Sequence, residues 1–98
     1  MEVKKTALIK KHSDLIEKAL VKLSVKTDID KVKIDIAKTV IDIVKANDDV
    51  ITLPVLYTDL IRVMLNHCIL ELPTFHENPL AISEEEKTLL QELIQLLS

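Results

Sequence analysis

Four side chains in this 98-residue chain have the chemistry for soft-metal binding or nucleophilic attack: His12, His67, His76 and Cys68. A metal site needs its ligands at spacings that converge on one ion, and no CxxC, HxxxH or HExxH pattern is present. His67 and Cys68 are adjacent, so on a helix they diverge by about 100° and do not share an ion. A cysteine nucleophile needs an imidazole within hydrogen-bond reach of its sulfur. His67 points away from Cys68, and His12 meets it only if two distant helices touch at that level. Successive acids at Glu84, Glu85 and Glu86 also fan apart on a helix, so they do not form an acid/base pair. Glycine is absent altogether, which removes the phosphate cradles of P-loops and GxGxxG turns. The sequence therefore predicts no catalytic residue, no metal site and no cofactor: a protein that is not an enzyme.

Lysine is the one charged residue type with a pattern. Lys4, Lys11, Lys18 and Lys22 fall along one flank of a helix, a surface that could meet nucleic-acid phosphates, anionic lipid or an acidic partner. Residues 1–26 hold seven lysines against three acids, residues 27–46 four of each sign, and residues 47–98 two basic residues against nine acids. The total of −3 is acidic, and Arg62 is the sole arginine, although arginine is the residue that clamps phosphates and reads bases. Nucleic acid is thus a poor match. The alternative to an anionic-surface role is that the lysines face the acidic C-terminal half of the same molecule or form a solvated face that keeps it soluble.

Tyr57 and Phe75 are the only aromatics, so the core must be aliphatic. With 48 % apolar and 30 % charged residues the composition is that of a globular chain, and its length suits a single domain. One cysteine permits no internal disulfide and fits a reducing compartment. The start of the chain lacks a continuous apolar segment of signal-peptide type. The most apolar stretch, 53–72, carries Asp59, Arg62, Asn66 and Glu71, costly residues in a lipid-spanning helix. A cytoplasmic, soluble protein is expected.

Periodicity predicts an all-α fold, a small antiparallel four-helix bundle with helices at 3–25, 28–46, 53–72 and 83–97. In the first, Leu8, Leu15, Ile16, Ala19 and Leu23 form the apolar face, with His12 at its centre and Ile9 and Leu20 at its edge. The second is rich in Ile and Val and locally alternating, which suggests a strand. Against that, Ile29, Val32, Ile36, Val40 and Ile43 recur at helical steps. Lys31, Asp35, Lys38, Asp42 and Lys45 also form an alternating-sign ladder, worth about 0.3 kcal/mol per ion pair, on the opposite face. Thr27 and Asp28 offer its N-cap and Asn47 its stop. Pro54 is expected at the first turn of the third helix, which is central and buries Leu60, Val63, Met64 and His67. Ser83 and Glu86 have the spacing of a capping box for the fourth.

Two features point to a partner. Ile34 and Ile41, one heptad apart, lie off the stripe that begins at Ile29, either as an exposed seam for another protein or a second copy of the chain, or as part of a wider buried face if the second helix meets two neighbours. Phe75, between Pro73 and Pro79, either projects as a binding tip or folds back as a lid. In length and in its Lys-rich start the chain resembles the bacteriocin immunity proteins, which are small helical bundles. That resemblance covers layout only and carries over no residue. The expected function is a non-enzymatic interaction module, an adaptor, inhibitor or immunity-type factor. The second expectation is an anionic-surface binder acting through the lysine flank, with peripheral membrane contact a lesser form of it.

Overall fold

The structure, a computed structural model, describes residues 3–26, 31–74 and 77–98, the side chain of residue 3 excepted. Five α-helices, and no strand among the described residues, make up the fold: α1 (Val3–Lys11), α2 (Ser13–Lys26), α3 (Lys31–Ala46), α4 (Val55–Glu71) and α5 (Glu84–Leu97). The expected all-α class is present, but the count is five and not four. The helix expected over 3–25 is interrupted at His12. No proline or glycine marks the interruption. Helical hydrogen bonds straddle it, from the His12 N–H to the Leu8 carbonyl and from the Ile16 N–H to the His12 carbonyl. Ser13 Oγ donates to the Lys10 carbonyl at 2.9 Å, the kind of side-chain competition for backbone that bends helices.

The interruption goes with a different inward face. Thr6, Ile9, Ser13, Ile16, Ala19, Leu20 and Leu23 are buried across α1 and α2, while Leu8 and Leu15 only pack against the edge of the core. Buried hydroxyls are tolerable because they return their hydrogen bonds to nearby carbonyls: Ser13 to Lys10 and, on α4, Thr58 to Val55 at 3.0 Å. Among the described residues no buried side-chain polar atom lacks a partner.

α4 packs against α2, α3 and α5, the central position expected of it. Its inward face is Thr58, Ile61, Met64, Leu65 and Cys68, so of the expected core residues Met64 is buried, Leu60 and His67 are half-buried and Val63 is exposed. Pro54 is the N-cap residue with φ −57° and ψ 147°, one position earlier than expected. Its extended ψ keeps it outside the helix while its carbonyl receives the Tyr57 and Thr58 N–H groups. Leu72 ends the helix with an extended backbone, ahead of Pro73.

The C-terminal end of α3 and the start of α5 match their sequence signals. Asn47 follows the last turn of α3 and its amide donates to the Ile43 carbonyl at 2.7 Å; the expected cap at Thr27 and Asp28 lies outside the described residues. On α5 the capping box is complete. The Glu86 N–H donates to Ser83 Oγ at 3.0 Å and the Ser83 N–H to Glu86 Oε1 at 2.9 Å. The connecting segment before it folds back on itself, with the Ile82 N–H donating to the Pro73 carbonyl and Ile82 and Leu72 both buried. No helix of the described residues is long and apolar enough to cross a membrane.

Candidate functional site

α3 is where the structure corrects the sequence most sharply. Ile34 and Ile41 are 1 % and 0 % exposed, whereas Val32, Ile36 and Ile43 are 68 %, 40 % and 48 % exposed. The inward stripe is Ile34, Ala37, Val40, Ile41 and Val44. Ala37, fully buried, lies within this stripe, between Ile34 and Val40. Ile34 and Ile41 are therefore core residues, not a surface that a partner can reach. The helix has two apolar faces: of the stripe expected inside, Val40 is buried, Val32, Ile36 and Ile43 are left at the surface, and Ile29 lies outside the described residues.

That outer face forms one wall of an open groove of about 410 Å³. Val32, Ile36, Val40 and Ile43 come from α3; Leu53, Pro54 and Tyr57 come from the segment entering α4 and its first turn. Pro54 fixes this second wall, because its ring restricts φ and holds the chain extended until α4 begins. Leu53 is buried and Tyr57 is half-buried. Asp35 and Thr39, both exposed, are the polar lining on the α3 side. Thr39 Oγ1 donates to the Asp35 carbonyl at 2.9 Å, and Asp35 is the one charged residue among those lining the groove.

The last residue of the expected charge ladder on α3 is engaged elsewhere. Lys45 Nζ reaches across to α2, 2.9 Å from Asp14 Oδ1 and 3.6 Å from Glu17 Oε1, in place of the expected pairing with Asp42. These contacts raise the Lys45 ammonium above its ordinary range, the hydrogen bond to Asp14 most of all.

The lysine flank divides in two. Lys18 Nζ lies 2.9 Å from Glu86 Oε2, and Lys22 Nζ donates to the Ala81 carbonyl, so both hold α2 to the approach and first turn of α5. Lys4 and Lys11 are exposed. Lys10, which was not part of the expected flank, donates through Nζ to the Asn47 carbonyl and joins α1 to the end of α3.

Phe75 and His76 lie outside the described residues. Cys68 is fully buried, and burial pushes its thiol up to about 12, which favours the protonated thiol over the reactive thiolate at neutral pH. His12 and His67 are half-buried on different helices, and among the described residues no group of three or more His, Cys, Asp or Glu side chains is placed to hold a metal ion. The groove is what sequence reading missed. Its signal was present as a second apolar face on 28–46, but pattern alone does not say which of two faces meets the core. Compared with models of protein families, with characterised proteins and with solved structures, the chain has no match.

Proposed function

We propose that this protein is a non-enzymatic interaction module that receives an amphipathic helix of another protein in the groove between α3 and the start of α4. The observation that carries the reading is the exposure of Val32, Ile36 and Ile43 beside Pro54 and Tyr57. An amphipathic helix laid in a groove presents apolar anchors at steps of three and four, and this apolar lining suits them. Asp35 selects among such helices, favouring one with Lys or Arg beside its apolar stripe. The volume is within the range of small-molecule sites, but those sites fix a ligand with several convergent polar groups. Here the charged and hydroxyl groups on the α3 side, Asp35 and Thr39, are both exposed.

A displayed library of amphipathic helical peptides, selected on the intact protein, tests the reading. Binders are expected to share apolar residues at helical steps and a basic residue, and to lose binding to Ile36→Lys and Ile43→Lys. Failure to select any binder, or binders indifferent to both substitutions, would contradict it.

A further inference from the structure

The α3 wall of the groove has the spacing of a helix-pairing seam. Val32, Ile36, Thr39 and Ile43 follow one another at steps of four, three and four, and all four line the groove. Steps averaging about 3.5 residues keep one stripe turned to a companion helix along its length. Thr39 fits such a stripe because its hydroxyl is already donated to the Asp35 carbonyl. In helix pairs of this kind the residues flanking the stripe choose the partner by charge. One flank here is acidic at both levels: Asp35 precedes Ile36, Asp42 precedes Ile43, and both acids are exposed. Among the described residues neither carboxylate takes part in an ion pair. Lys38 and Lys45, two positions past each isoleucine, turn about 160° away from the stripe, and Lys45 is held by Asp14 and Glu17. Exposed Asp48 and Asp49, beyond the end of α3, carry the same sign further. The other flank holds Lys33 and buried Val40, so the two edges of the seam differ in charge.

We infer, resting on the reading that the groove receives a helix, that the partner carries Lys or Arg at two positions seven apart on a single edge of its apolar stripe, one for Asp35 and one for Asp42. Seven residues of helix rise by about 10.5 Å, both between the two carboxylates and between the two cations, so both pairs close in one register only. A helix shifted by one turn loses that match. A helix of the same apolar pattern with acids on that edge is repelled by both carboxylates, and such repulsion is what separates one partner from another. Asp42, which does not line the groove, thus acts with Asp35 as a specificity-determining residue.

A displayed peptide library with leucines fixed at steps of three and four, and every other position random, tests the inference on the full chain. Peptides whose binding is lost to Ile43→Lys are the groove binders. Among them, two basic residues seven apart on one edge are expected to recur. Asp35→Asn and Asp42→Asn should each weaken the strongest such peptide by about two- to fivefold, with unchanged circular dichroism, and raised salt should do the same to the parent protein. Replacing the matching peptide cation by Gln should then cost nothing further in the Asp→Asn protein, as a coupled pair requires. Groove binders whose basic residues follow no spacing, or that are indifferent to Asp42→Asn, would overturn the inference and leave the groove reading standing. A library that yields no groove binder would overturn both.

Discussion

Lys18 on α2 and Ser83 at the cap of α5 share one carboxylate: Glu86 accepts from Lys18 Nζ through Oε2 and from the Ser83 N–H through Oε1, both at 2.9 Å. One side chain thus closes a helix end and ties that end to another helix. The Ser83 N–H, ahead of Lys18, holds the Glu86 carboxyl below the usual glutamate range. A carboxyl depressed in the folded state contributes stability that is present above its unfolded pKa of about 4.3 and lost as pH falls through the folded value. Glu86→Gln should flatten the acid limb of the stability profile, because the amide oxygen still accepts from Ser83 but no longer titrates. Ser83→Ala should cost about 1 kcal/mol at every pH. Chemical denaturation between pH 2 and 7, values spanning the carboxylate range, separates the two, and an unaltered acid limb in Glu86→Gln would count against the shared carboxylate.

The two faces of α3 can be told apart by truncation. Ile34→Ala and Ile41→Ala should each lose roughly 2–5 kcal/mol, as buried large-to-small changes do. Ile36→Ala and Ile43→Ala should lie within about 1 kcal/mol of wild type, because half of each side chain is already in water. Denaturant midpoints at constant m-value give the comparison. The reverse ranking would restore the face read from the sequence.

How far α3 was legible is instructive. Its helicity and its stop at Asn47 follow from local signals: apolar residues at steps of three and four, and a side chain able to bond back to Ile43. Its inward face does not, because the helix carries Ile or Val on two faces and local pattern does not say which of them meets the core. Similarly, the break at His12 has no proline or glycine to announce it, and the true α1–α2 face includes Thr6 and Ser13, which a hydrophobicity pattern assigns to solvent. The capping box at Ser83 was legible because it is wholly local. The groove was not, since one wall comes from α3 and the other from a segment set against it by tertiary packing.

Cys68 provides a probe of opening. With its thiol held protonated by burial and its titration moved to about 12, it should react with a disulfide reagent at neutral pH only as the fold opens. The sign for stability follows: the unfolded thiol ionises above about 8.5 while the folded one does not, so stability falls as pH rises from there toward about 12. Rapid labelling of the native protein at neutral pH would show that the α4 core is not closed.

The lysine flank should separate by role. Lys18→Met and Lys22→Met remove ties between α2 and the approach to α5 and should each lower stability by an amount below about 1 kcal/mol, as exposed or half-exposed polar contacts do. Lys4→Met and Lys11→Met should leave the melting temperature unchanged. Binding to anionic vesicles that disappears in a Lys4, Lys11 double variant would give the exposed pair a role of its own.

The groove on α3 is tested most directly by a methyl-resolved NMR titration with a helical peptide selected on the intact protein. The account predicts that Val32, Ile36, Ile43 and Leu53 methyl signals shift together and saturate with one affinity, while Leu56 and Leu70 on the far face of α4 do not move. Shifts centred on Leu56 and Leu70, with Val32, Ile36 and Ile43 unaffected, would contradict it.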